Sequence, residues 1–381
     1  MKRRDLLLMG LGAGSMAAAI AAGRTLRPAR SYNVPPDRTF VASGTQSLGD
    51  RARAKGLFYG SEVSIARLRD DTEYASSIAE ECTAIVPGYE WKWRFIRPDP
   101  QSFDFEKCDD MMDFATQHNL QVRGHTLVWY QSLPDWFEDY VTPANAESVL
   151  ARHIETVAGR YAGKIYSWDV VNEAIEPYSN RADLFRKEPW LDLLGTDYVE
   201  LAFRMAHEAD PNALLTYNDY RLDFDTSYED RRREGVMRLL ERLTSRNVPI
   251  HAVGLQAHLN AHEFETFNPE KLRSFLADIA SMGLKIMITE MDVIDQKLPA
   301  DIATRDRVVA SVYEDYLSVV LDEPAVAGVM TWGLSDRYTW LANEKAREDG
   351  LAVRPLPLDS EFQRKPAWHA IARAFDNAPP R

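Results

Sequence analysis

The sequence predicts a single-domain α/β protein of the (β/α)8-barrel class, on three observations. From Gly56 onward, short apolar segments of strand length alternate with amphipathic helical stretches. The strand segments number eight, the count that closes such a barrel. Polar and aromatic residues gather just after the carboxyl ends of these segments, where barrels of this class carry their functional groups.

The segments run in order. Strand 57–60 leads to a helix over 72–81, and strand 84–86 to a helix over 106–118. Strand 121–128 holds His125 near its end and is followed by a helix over 146–161. Strand 165–171 runs directly into Asn172 and Glu173, before a helix over 197–208. Strand 213–217 is followed by Asn218, Asp219 and Tyr220, then a helix over 228–245. Strand 252–255 is followed by Gln256 and His258, then a helix over 269–282. Strand 285–289 stops at Glu290 before a helix over 306–320. Strand 326–331 stops at Trp332, with Asp336 and Trp340 beyond. In every helical stretch the apolar residues recur three and four apart, the spacing of one buried face. No internal repeat, low-complexity tract or second domain interrupts the pattern.

Composition narrows the function. The chain of 381 residues is 45% apolar and carries a net charge of −13. Such a balance argues against nucleic acid or an anionic membrane as partner, since both require a basic surface. It suits a neutral ligand, and the chain is read as a monomer. Nine Trp and sixteen Tyr could stack on sugar rings or fill a core. Cys82 and Cys108 are the two cysteines. They exclude a disulfide framework and a cysteine-based zinc site, and they fit either one bridge or two separate buried thiols.

The amino terminus reads as a targeting segment over residues 1–23. Lys2-Arg3-Arg4 precedes Leu6-Leu7-Leu8-Met9 and a Gly/Ala-rich stretch, with small residues at Ala19 and Ala21. The paired arginines resemble a twin-arginine signal, which places the mature chain in the periplasm or outside the cell, free of the membrane after cleavage. The stretch is too short and Gly-rich for a comfortable span. Residues 24–55, rich in Arg, Pro, Ser and Gly, read as linker and lead-in, and 56–381 as the barrel.

Glu173 and Glu290 end two strands that can face each other across a barrel mouth. A facing carboxyl pair is the minimum equipment for cleaving a glycosidic bond: one carboxylate as nucleophile, one carboxylic acid to protonate the leaving oxygen. Asn172 can bind a sugar hydroxyl without adding charge. His258, from the neighbouring strand, can orient Glu290. His125, His258 and several acids also share this face, but they come from separate strands without ligand spacing, so neither a metal nor a cofactor is expected. No phosphate loop, nucleophile elbow or dinucleotide fingerprint is present. Taken singly, a strand-end Glu is more often a solvated residue or a helix cap. Trp129, Trp168 and Trp332 suit a core as well as a sugar platform, and His125 and Asp169 suit structural hydrogen bonding.

The motifs together resemble glycoside hydrolase family 10, the retaining endo-β-1,4-xylanases. They run in order as Arg123-Gly124-His125-Thr126-Leu127-Val128-Trp129, Trp168-Asp169-Val170-Val171-Asn172-Glu173-Ala174, Tyr217-Asn218-Asp219-Tyr220, Gly254-Leu255-Gln256-Ala257-His258, Ile288-Thr289-Glu290-Met291-Asp292 and Thr331-Trp332-Gly333-Leu334-Ser335-Asp336. The resemblance implies Glu173 as acid/base and Glu290 as nucleophile, with Asn172 on the sugar 2-hydroxyl and His258 on the nucleophile. It implies that Lys92, His125, Trp129, Gln256 and Trp332 line the subsite of the cleaved sugar (−1), that Trp340 extends the aromatic wall, and that Asn218 and Tyr220 lie toward the leaving group. The implied substrate is a xylan-type polysaccharide or oligosaccharide.

The departures cluster. Where the family usually reads Glu-Asn-x-x-Lys-Trp, this chain has Gly88-Tyr89-Glu90-Trp91-Lys92-Trp93. Where it usually reads Trp-His-Ser-Gln-Leu-Pro, this chain has Trp129-Tyr130-Gln131-Ser132-Leu133-Pro134. The missing Glu, Asn and Gln would grip the next sugar (subsite −2), so weak action on unsubstituted linear xylan is expected. Tyr89, Trp91 or Tyr130 could compensate by stacking, and Arg221 by pairing with a uronic acid. Two other readings remain at this stage: a glycan-binding barrel that has lost catalysis, and a retaining hydrolase of another specificity, such as a cellulase, a mannanase or an enzyme for a charged or branched glycan.

Overall fold

The computed structural model describes residues 34–381; the expected targeting segment lies outside them. Eight parallel strands close the barrel: β1 Phe58–Val63, β2 Ala84–Pro87, β3 Gln121–Val128, β4 Ser167–Asn172, β5 Leu214–Asp219, β6 Ala252–Leu255, β8 Lys285–Ile294 and β9 Val326–Thr331. Pairings β6–β8 and β9–β1 complete the ring. A short strand, β7 His258–Asn260, pairs with the far end of β8 and lies outside the expected eight.

The outer helices start where the sequence supplies a cap. Asp71 accepts from the Glu73 and Tyr74 amides, Thr226 from Glu229, and Asn268 from Lys271 ahead of Pro269. These helices (Thr72–Glu81, Ser227–Ser245 and Pro269–Ser281) bury one face against the strands. Strand side chains alternate as the pleat requires. Val122, Trp168 and Val170 point out into the layer beneath the helices, while Phe58, Ala84, Met287 and Met330 plug the barrel interior. Gly124 on β3 has no side chain because Trp168 occupies the place: an added Cβ would lie 2.1 Å from its ring.

Two expectations shift. The helix Leu48–Arg53 falls inside the expected lead-in, yet Leu48 and Ala52 are wholly buried and the helix packs on β1 and the carboxyl-terminal helix Pro366–Asn377. The barrel domain therefore starts before residue 56. Strand β8 also does not stop at Glu290; it continues to Ile294, with a register shift between Ile288 and Met291. Similar shifts interrupt β3 between His125 and Val128 and β4 between Asp169 and Val171. All three sit beside the barrel mouth, where a bulge re-aims a side chain. Cys82 and Cys108 are separate buried thiols.

Candidate active site

A cleft of about 640 Å³ opens at the carboxyl ends of the strands. Eleven of the twelve sequence-predicted site residues line it: Lys92, His125, Trp129, Asn172, Glu173, Tyr220, Gln256, His258, Glu290, Trp332 and Trp340. Asn218 does not. It is fully buried, and its amide donates to Asn172 Oδ1 at 2.9 Å and to Glu290 Oε1 at 2.8 Å. Expected toward the leaving group, it instead ties the two glutamates' supports together from below, because the pleat turns it inward at the end of β5.

Glu173 follows β4 with φ of 60°, a left-handed conformation uncommon for a residue with a side chain. Its backbone is pinned on both sides: its amide donates to Asn218 O at 2.9 Å, and its carbonyl accepts from Arg186 Nε at 2.8 Å. Its carboxyl accepts from Trp129 Nε1 at 3.0 Å, Gln256 Nε2 at 2.9 Å and Asn172 Nδ2 at 3.2 Å. Burial pushes this carboxyl above the ordinary Glu range. The charges of Asp219 and Glu290 add to the rise, and the Gln256 and Trp129 hydrogen bonds only partly oppose it.

Glu290 is equally deep but differently surrounded. Burial would raise its carboxyl, yet the His258 hydrogen bond, the imidazoles of His125 and His258 and the Lys92 ammonium outweigh that, and it lies below the ordinary range. His258 Nε2 is 3.3 Å from Glu290 Oε2. Its Nδ1 stands 3.1 Å from Asp292 Oδ1, close enough for charge attraction but not aligned as a hydrogen bond. Burial opposes the charged ring, but Asp292 and Glu290 push the imidazole up to about 10, so it is a cation at neutral pH. Asp292 is held in turn by Trp340 Nε1 at 2.8 Å.

The remaining side chains frame this pair. His125 Nδ1 lies 2.9 Å from Asp169 Oδ2, and Asp169 also pairs with buried Arg123. Trp332 meets the His125 ring edge to face at 5.5 Å. Tyr220 OH accepts from Arg186 Nη2 at 3.0 Å. Trp168 and Trp91 resolve as core; both are fully buried and stand edge to face at 6.3 Å, so Trp91 offers no platform to a sugar. Arg221 pairs with Glu263 at 3.4 Å and stands outside the cleft lining.

Sequence reasoning missed Glu62, Arg67, Arg186, Tyr338 and Glu344. Glu62 carried the same signal as the others, an acid at a strand end, but β1 runs three residues past the expected stop at Gly60.

A parallel eight-stranded barrel whose mouth holds two buried glutamates of opposite electrostatic character is the architecture of a retaining glycoside hydrolase. The chain belongs to glycosyl hydrolase family 10, whose profile matches residues 47–374. It is 36% identical to endo-1,4-beta-xylanase B of Paenibacillus barcinonensis, over 84% of this chain and 96% of that one. It is 33% identical to a beta-1,4-xylanase of Dictyoglomus thermophilum, over 79% and 84%. The structure of xylanase 10B from Thermotoga petrophila RKU-1 in complex with xylobiose superposes with a TM-score of 0.79 at 29% identity, covering 88% of this chain and 99% of that one.

Proposed function

We propose that this chain is an endo-1,4-β-xylanase that cleaves xylan-type chains by double displacement, with Glu290 as nucleophile and Glu173 as acid/base. The observation that carries this reading is the opposite tuning of two linked carboxyls. Glu173 is held toward its protonated form and Glu290 toward its ionised form, within one hydrogen-bonded set through Asn172, Gln256 and Asn218.

Glu290 carboxylate attacks the anomeric carbon as Glu173 gives its proton to the departing glycosidic oxygen. The bond to the leaving sugar breaks, and a covalent glycosyl-enzyme remains. Glu173, now a carboxylate, takes a proton from water. That water attacks the anomeric carbon, the bond to Glu290 breaks, and the sugar leaves with its β configuration retained. Asn172, which lines the cleft, binds the 2-hydroxyl of the cleaved sugar. The His258 cation keeps Glu290 ionised and aimed, and Trp332 and Trp129 wall the ring.

The test is product stereochemistry together with variants. Wild-type digestion of xylo-oligosaccharides followed by proton NMR should show the β anomer first, and Glu290→Ala should fold normally but lose turnover. First appearance of the α anomer would refute the mechanism. Export through the twin-arginine route belongs to the same reading and rests on Arg3-Arg4 ahead of a Gly-diluted apolar stretch. Replacing both arginines by lysine should block it.

A further inference from the structure

Past the paired glutamates the cleft runs toward β1 and β2, where two largely buried titratable side chains have no close hydrogen-bond partner. Glu62, on β1, has a side chain only 7% exposed. Its carboxyl accepts no hydrogen bond from any described residue, and its ion-pair partner, Arg67 Nη1, stands off at 3.8 Å. Arg67 is itself engaged with the carbonyl of Tyr338 at 3.1 Å. Lys92 is also buried and lines the cleft. Among the described residues its ammonium makes no hydrogen bond or ion pair, and it lies over the rings of Trp129 at 4.8 Å and Tyr89 at 5.4 Å. A carboxyl and an ammonium that line one end of a cleft without a close protein partner there are free to bond what enters it.

Gly88 explains how Glu62 gets there. A Cβ on Gly88 would sit 2.2 Å from Glu62 Oε1. Gly88 does not adopt a positive φ, so the backbone has no need of glycine at this point; the space does. The carboxyl thus reaches from β1 into room left open on β2. The neighbouring Glu90 does not compete for that role, since it already accepts from the Ile65 amide at 2.8 Å and the Tyr89 amide at 3.3 Å.

The position relative to the chemistry follows from the ring of strands. β1 stands across the barrel from β5, and Tyr220 follows the end of β5. Glu290 is among the charges acting on Glu62, together with Lys92 and Glu90. With Tyr220 toward the leaving group, as the family resemblance implies, Glu62 borders the sugar chain that stays with Glu290 when the leaving group departs.

We propose that Glu62, placed by the gap at Gly88, is a specificity-determining residue that binds hydroxyls of the neutral sugar next to the one cleaved, on its non-reducing side, opposite the ammonium of Lys92. This rests on the glycosidase reading above. Burial holds the Glu62 carboxyl up at about 7, so near neutral pH it can both donate to and accept from a hydroxyl.

Two substrates with one leaving group isolate that sugar: an aryl β-xylobioside and the corresponding aryl β-xyloside. The readout is the ratio of their kcat/KM values in the full chain. Glu62→Ala should lower the ratio about ten- to hundred-fold. Gly88→Ala should lower it in the same direction, because its methyl evicts the carboxyl. Glu62→Gln, which keeps the volume, should give a smaller fall. Glu62→Ala combined with Gly88→Glu should recover much of the loss by returning a carboxyl from β2. A mere counter-ion to Arg67 and Lys92 would change melting temperature and leave the ratio alone. A ratio within about two-fold of wild type in Glu62→Ala, Glu62→Gln and Gly88→Ala overturns the proposal. No hydrolysis of either substrate by the wild-type chain overturns instead the function on which it rests.

Discussion

Glu173 and Glu290 are the same residue type at nearly the same depth, 9% and 5% exposed, on opposite sides of one cleft. Their surroundings differ in one respect that matters. Glu173 is met by neutral donors, the Trp129 indole and the Gln256 and Asn172 amides, and by the like charges of Asp219 and Glu290. Glu290 is met by cations, His258 and Lys92, and by one neutral amide from Asn218. Burial raises both, so burial alone cannot assign roles. The sign of the neighbouring charge does: neutral donors satisfy a carboxyl without forcing it to ionise, whereas a cation holds it ionised.

Exchanging each acid for its amide has the largest expected effect. On a dinitrophenyl β-xylobioside the leaving group needs no proton. Glu173→Gln should therefore still release a burst of dinitrophenol, then stall because water is no longer deprotonated. Glu290→Gln should show no burst and lose roughly 10⁵-fold or more in kcat. Stopped-flow absorbance separates the two, and a burst from Glu290→Gln would show that the roles are misassigned.

His258→Asn should come next. It removes a cation and a hydrogen bond from Glu290, so the Glu290 pKa rises. The acid limb of the kcat/KM profile then moves to higher pH, and kcat/KM at its optimum falls about ten- to hundred-fold. An acid limb that stays in place would mean that His258 does not hold the nucleophile ionised.

Much of this was legible in the sequence, for physical reasons that can be named. The eight barrel strands are apolar on both faces, so they stand out as runs, and polar residues that interrupt or end such runs are conspicuous. That is why Glu173, Glu290, His125 and Gln256 were found. Glu62 was not, because the strand carrying it was cut short at Gly60 and its carboxyl lies where Gly88 on the next strand leaves room. A relation between two strands far apart in sequence has no local pattern. Asn218 was found but misplaced: its position at the end of β5 is visible, whereas the inward turn of its side chain depends on pleat register. The helix Leu48–Arg53 has no legible signal in the sequence, because six residues in a polar stretch give too short a periodicity to read. Weak action on linear xylan is expected from the polar groups absent at Gly88, Tyr89 and Ser132. The Glu62 carboxyl occupies the space beside Gly88, so Gly88→Glu without removal of Glu62 should crowd the site rather than improve it.

Gln256→Ala and Trp129→Phe sharpen the Glu173 side and carry the smallest effects. Gln256 gives the strongest opposition to Glu173's raised pKa, and the Trp129 indole a weaker one. Both hydrogen bonds favour the ionised carboxylate, so losing either leaves the acid protonated to higher pH. The alkaline limb should move up in both variants, further for Gln256→Ala than for Trp129→Phe. Phenylalanine keeps a ring against the sugar and under Lys92, so its rate loss should be only a few-fold, about 1 kcal/mol for one hydrogen bond. The two donors contact different oxygens, Oε1 and Oε2, but the carboxyl delocalises its charge over both, so the shifts should be partly shared in the double variant. A pH-rate series on an aryl β-xylobioside measures this directly. An alkaline limb that moves down in either variant would mean that neutral donors do not govern Glu173's proton, and the contrast with the cation-held Glu290 would fail.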